Sequence, residues 1–178
     1  ANWGAKYDSF GNKITWFGYK MHLSVDTASE LPMAIKVIPA HVNDGEVAPE
    51  LIEQVAERTK SKIEFLIMDG GYDQLKNYES AKNIGAQAII PLNLCNEKEP
   101  PEGISSNGTP RCSMGYEMTY WGADKDQLKF RCPHATGKVD CPLGMAACSS
   151  SNYGMVVKVD IKKDVRRYSN PHRDTKRW

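Results

Sequence analysis

A short apolar run, Ile63 to Met68, stops abruptly at Asp69-Gly70-Gly71. An apolar run that does not alternate reads as a strand buried on both faces. Leu75, Tyr78, Ala81 and Ile84 follow at a spacing of three, a helical pattern with Gly85 as its C-cap. A second apolar stretch, Ala88 to Leu92, closes the unit. Strand, helix and strand in this order predict a parallel pair joined by a right-handed crossover. This confines the chain to a mixed α/β class. It also directs attention to the C-terminal ends of the strands, where sites gather in such sheets and where Asp69 lies.

Upstream, residues 14 to 40 read as a β-hairpin. Tyr19, Met21, Leu23 and Val25 alternate with Lys20, His22 and Ser24, the period of a half-buried strand with Lys20 and His22 on its polar face. Asp26 to Glu30 supplies the turn, Met33, Ile35 and Val37 begin the return, and Pro39 ends it. Asn43-Asp44-Gly45-Glu46 has the form of a capping box, so Asn43 and Asp44 are expected as caps. Val47, Leu51 and Val55 give the next helix its apolar stripe, with Pro49 pushing its start later. Asp8, in Tyr-Asp-Ser-Phe-Gly-Asn, falls in a loop.

The character changes after Asn93. Pro100-Pro101, Gly103, Gly108 and Pro110 mark a boundary, and residues 114–130 and 154–161 are rich in Tyr, Trp and Val as strands are. The expected organisation is a core over residues 1–95, a β-rich, cysteine-containing insertion over 96–165, and a basic segment over 166–178.

No apolar run approaches the ~20 residues that span a bilayer, and the polar stretch Ala1 to Phe10 is no signal peptide. The net charge of +1 excludes a chain that binds nucleic acid by bulk charge. The basic residues are concentrated at one end, however. Lys162, Lys163, Arg166, Arg167, Arg173, Lys176 and Arg177 face only Asp164 and Asp174 there, beside Tyr168, His172 and Trp178. Arginines among aromatics suit a nucleic-acid groove, and a solvated terminal segment is the plainer reading. Lys20 and His22 are further candidates for a phosphate backbone or a site edge, with an ordinary solvent-facing role as the plainer reading.

The five cysteines are odd in number and follow no secretory signal, which favours reduced thiols. Cys132, His134, Cys141 and Cys148 are candidate ligands for a structural Zn²⁺, with Cys112 as a substitute for His134. Their spacing is wider than a CxxC knuckle, and thiols packed in a small β layer are the alternative. Cys95 is expected at a strand end, outside this set.

Taken in order, Trp16 to Asp26, Leu31-Pro32, Pro39 to Asp44, Met68 to Asp73 and Ile90 to Asn93 resemble the catalytic domain of bacterial insertion-sequence DDE transposases, the cut-and-paste group with a late β-rich insertion. The resemblance covers roughly residues 14 to 93, and residues 153 to 178 resemble the segment leading into that family's last catalytic helix. It implies a ribonuclease H-like fold and an active site of three carboxylates, of which Asp69 matches the second. The first Asp belongs on a strand before the hairpin and the Glu on a helix after the insertion. The expectation is therefore a core lacking its first strand and last helix, inactive as an isolated piece. The implied cofactor is Mg²⁺ (or Mn²⁺), two ions about 4 Å apart, with Asp69 as a ligand. The implied partners are double-stranded DNA and a second copy on that DNA, in a bacterial cytoplasm. A nuclease of the same fold and a non-catalytic DNA-binding remnant are the competing readings. Tyr72 is expected to pack near the site without a catalytic part.

Overall fold

The alternation around Lys20 produces a long strand, β2 (Lys13–Val25), which turns back into β3 (Pro32–Pro39). The computed structural model describes residues 1–94, 97–176 and 178; Cys95 and Arg177, which figure in the sequence reading, lie outside the described residues. β2 and β3 are antiparallel, with Lys20 opposite Ile38, His22 opposite Lys36 and Leu23 opposite Ile35. Asp26 closes the turn by accepting the amide of Ser29 at 2.9 Å. A further strand, β1 (Asn2–Tyr7), precedes the hairpin and pairs antiparallel with β2 from Asn2–Gly18 to Tyr7–Lys13. The chain therefore does carry a strand ahead of the hairpin, where the sequence reading expects none. It contains no carboxylate; Asp8 follows in a turn and accepts the amides of Phe10 and Asn12 at 2.9 and 2.8 Å.

The face of this sheet that is covered is the one carrying Lys20 and His22. Helix α1 (Ala48–Arg58) lies against β3, and Ala34, Ile38, Val47 and Leu51 form a buried cluster. His22 is buried on this side, while Met21 and Val37 on the other are 64% and 57% exposed. The period of two separates two faces without saying which one a helix covers. β3 sets Met33, Ile35 and Val37 on the open face and Ala34, Lys36 and Ile38 on the covered one, where Lys36 pairs with Glu50 of α1. Pro49 stands in the first turn of α1, where its missing N–H costs nothing, so the helix starts ahead of it. The capping box does not close: Glu46 pairs with Lys76 at 2.5 Å instead.

β4 (Phe65–Ile67) and β5 (Gln87–Ile89) form a parallel pair joined through α2 (Leu75–Asn83). α2 packs on α1 and β5, burying Tyr78 and Ala81. Phe65 and Ile67 are 41% and 68% exposed, so β4 is covered on one face only rather than on both.

These elements make up the first of two compact units, Ala1–Pro91; the second is Leu92–Trp178. The second unit is built on an antiparallel meander, β6 (Thr119–Asp124), β7 (Gln127–Arg131) and β8 (Val156–Asp160), in that order. Its core is Met118, Leu128, Phe130 and Tyr168. Tyr168, from the expected basic segment, belongs to this core. Among the described residues the second unit has no α-helix, and no helix of either unit is long and apolar enough to cross a membrane.

Candidate functional site

Asp69 follows β4 directly and is exposed. Its carboxylate caps the 3-10 turn Gly70–Tyr72 by accepting the amide of Gly71 at 2.7 Å. A second carboxylate comes from the turn after β3. Asn43 caps that turn through the Gly45 amide at 2.9 Å, which leaves Asp44 free of the capping role expected for it. The two turns touch closely. A Cβ on Gly45 would stand 2.4 Å from the side-chain amide of Gln74, whose Nε2 donates to Asn43 Oδ1 at 2.9 Å. A Cβ on Gly71 would meet Asp69 Oδ1 at 2.9 Å and Asp44 Oδ2 at 3.4 Å. The bare Cα of Gly71 therefore leaves a small space bordered by two carboxylates from separate turns.

Behind them lies a polar network on the covered face of β2. Lys20 Nζ donates to Asp44 Oδ1 in a close ion pair. His22 Nδ1 is hydrogen-bonded to the Tyr72 hydroxyl, with the rings edge-on at 88° and 5.9 Å apart. Burial, reinforced by Asp44 and Asp69, pushes the Tyr72 hydroxyl up to about 12, so it keeps its proton. Burial also pulls His22 below its ordinary value; Asp44 and Asp69 oppose this and Lys20 adds to it. The imidazole is therefore neutral near pH 7, and with Tyr72 at Nδ1 its other ring nitrogen is Nε2. That atom is buried without a hydrogen-bond partner and points toward Asp44 Oδ1, 3.9 Å away. A buried polar atom left unpaired is costly, and a bridging water of suitable geometry would satisfy it.

The sequence reading set Lys20 and His22 on a polar face for DNA. The structure buries His22, at 6% exposure, and commits Lys20 to Asp44. Tyr72 and Asp44 belong to the network, and no local pattern signals this: His22 and Tyr72 stand 50 residues apart.

The donor set next to Asp69 is of the kind a hard divalent cation takes, carboxylate oxygens on an open rim. It is also small: among the described residues no group of three His, Cys, Asp or Glu side chains is arranged to hold a metal. The two carboxylates fit part of a Mg²⁺ shell, and an octahedral ion needs further oxygens beyond them.

In the second unit the basic residues are largely engaged within the fold. Arg167, 7% exposed, pairs with Asp164 at 2.8 Å and closely with Glu97. It is an internal ion pair rather than a phosphate contact, because a buried guanidinium must be neutralised where it stands. Arg166 donates to the Asn93 carbonyl at 3.3 Å. Arg173 donates to the Arg166 carbonyl and lies 4.2 Å over the Trp178 ring. Lys176 remains exposed. His172 is fully buried, stacked on Tyr120 at 5.2 Å and edge-on to Phe130 at 5.0 Å. Cys112, Cys132, His134, Cys141 and Cys148 all border one pocket, and the four thiols are reduced.

A family model described as a transposase DDE domain matches residues 2–137. No curated protein and no solved structure matches the chain.

Proposed function

The chain belongs to the transposase DDE-domain family, and from that premise we propose that it supplies part of the active site of a DNA transposase, with Asp69 as a metal-binding catalytic carboxylate. The family carries polynucleotidyl transfer in the complete protein. The reaction proposed is Mg²⁺-dependent strand cleavage followed by strand transfer at element ends, on double-stranded DNA held by a pair of protomers. The observation that carries the reading is the position of Asp69. It is an exposed carboxylate at the end of a parallel strand, sharing the space beside Gly71 with Asp44.

Asp69 would hold the cation, with Asp44 close enough to join it or to orient its waters. When bound, the ion supplies charge neutralisation at the phosphate and activation of the attacking oxygen. The chain's own residues do the rest. Lys20 fixes Asp44 by its ion pair. The Tyr72–His22 hydrogen bond ties the turn after β4 to β2, so the two carboxylate-bearing turns are held to one strand.

The test uses the longest natural form of the protein and DNA bearing the element ends, assayed for Mg²⁺-dependent cleavage and joining. Loss of a metal-binding carboxylate removes several kcal/mol of transition-state stabilisation. Asp69→Asn should therefore lower the rate at least ~100-fold while DNA binding persists. An Asp69→Asn protein as active as wild type would overturn the assignment. Cleavage without joining by wild type would point to a nuclease, and binding without cleavage to a non-catalytic relative.

A further inference from the structure

The second unit holds four thiols that the proposed chemistry does not use. Cys112, Cys132, Cys141 and Cys148 line a single small pocket with His134 beside them. Its enclosed volume is about 10 Å³, close to the space of one water-sized sphere. The thiols converge from three places. Cys112 precedes β6, Cys132 directly follows β7, and Cys141 and Cys148 lie in the excursion that leads to β8.

That excursion is itself unusual. β7 and β8 are hydrogen-bonded neighbours, yet residues 132–155 run between them with turns and no helix or strand. β6 and β7 need only Lys125 and Asp126 to connect. Irregular segments of this length are uncommon inside a compact unit. Of its side chains only that of Pro133 is fully buried, and only that of Met155 packs against the core cluster of Met118, Leu128, Phe130 and Tyr168. A small unit with so little core is commonly stapled by a metal or by disulfides.

The local turns are built alike. Cys112 and Cys141 each open a Cys-x-x-Gly turn, in which the glycine amide donates to the cysteine carbonyl at 2.8 and 3.0 Å. Gly115 and Gly144 close these turns at φ +79° and +63°, a region that favours glycine. Both thiols are thus presented from the start of a tight turn into the same pocket. His134 is held differently: its Nδ1 lies 3.2 Å from the Cys141 amide and 3.1 Å from the Val139 carbonyl. That nitrogen is engaged by the backbone around Cys141, and the four thiols complete a tetrahedral set without the ring.

We propose that Cys112, Cys132, Cys141 and Cys148 form a structural Zn²⁺ site, with His134 as a positioning residue rather than a ligand. This replaces His134 with Cys112 in the set suggested by the sequence. Among the described residues no three of these groups are already drawn up around a metal position. Binding gathers them from the pocket wall. Four thiols each release a proton to solvent as four Zn–S bonds form, and no electron is transferred. The metal ties the 132–155 excursion to the segment before β6 and to the end of β7.

The test is made on the full chain, purified under reducing conditions. Metal analysis should give one zinc per chain. Exchange for Co²⁺ should give the intense absorption of a tetrahedral all-thiolate site. His134→Asn should keep both the stoichiometry and that spectrum, while Cys141→Ser loses the all-sulfur spectrum. The wild-type protein alone is decisive if a variant fails to fold. Protein free of metal that develops no thiolate–cobalt absorption would overturn the site. So would mass spectra showing these cysteines paired as disulfides. Loss of metal or a changed cobalt spectrum in His134→Asn would overturn the all-thiolate set.

Discussion

The two units stabilise their sheets differently. In the first, the hairpin β2–β3 is covered on one side by α1 and left open on the other, where Tyr19, Met21, Leu23, Val25, Ile35 and Val37 are all exposed. In the second, the meander closes over Leu128 and Phe130, both at 0% exposure, with His172 and Tyr168 packed in beside them. An apolar pattern alone therefore does not measure burial. β2 has the more regular alternation of the two sheets, and its apolar positions are the exposed ones. What separates the cases is the covering element: one helix over one face of a two-faced sheet, against a C-terminal segment that reaches the core of a small meander.

The largest effect should come from the closed core. Phe130→Ala deletes a fully enclosed ring and should cost about 3–5 kcal/mol. In hydrogen exchange, β7 and β8 should lose protection while β2 and β3 keep theirs, because the units have separate cores. Equal loss in both would show that they unfold as one, and the contrast would fail.

Next is the network behind Asp69. Tyr72→Phe removes the hydroxyl that is hydrogen-bonded to His22 Nδ1 and leaves a buried ring nitrogen without that partner. The expected cost is about 1–3 kcal/mol, read from the urea midpoint. A change under a few tenths would mean that the hydrogen bond adds nothing to the fold.

Each unit also encloses a histidine held neutral. Burial lowers His172 as it lowers His22; Asp174 opposes the shift and Arg173 adds to it. Unfolded, both rings take a proton near their ordinary value of 6.5, and folded they take it only at lower pH. The unfolded state thus binds more protons as pH falls below about 6.5, and stability should decline there while staying flat above. Urea midpoints followed from about pH 7.5 to about pH 5 check this. Stability that holds steady over that span would mean that neither ring is kept neutral by the fold.

Much of the first unit is legible in the sequence. The hairpin, the two helices and the parallel pair follow from periodicity, and Asp69 follows from its place at a strand end. The partners of Asp69 are not legible in the same way. Asp44 looks like a cap because Asn-Asp-Gly is cap chemistry, and only the packing of Gly45 on Gln74 shows that Asn43 takes that role. His22 looks solvent-facing because its strand neighbours are apolar, and the side taken by α1 reverses that. In the second unit the strands are legible from their Tyr, Trp and Val content. Arg167 is not, since a buried ion pair with Glu97, 70 residues away, has the same sequence signature as a phosphate contact.

The smallest effect belongs to the open face. Met21 is 64% exposed and Val37, directly opposite it, 57%. A residue already in water has little burial free energy to lose, so Met21→Lys should change stability by no more than ~0.5 kcal/mol. On the covered face Ile38→Ala, at 7% exposure, should cost about 2–5 kcal/mol. The pair compares the two sides of one sheet with the register fixed between them. If Met21→Lys instead costs as much as Ile38→Ala, the open face is packed in solution, and the difference between the two units is one of missing cover rather than of construction. If the cost stays small, six apolar side chains stand in water on a stable sheet, and the β2–β3 hairpin contributes to the core of the first unit through its covered face alone.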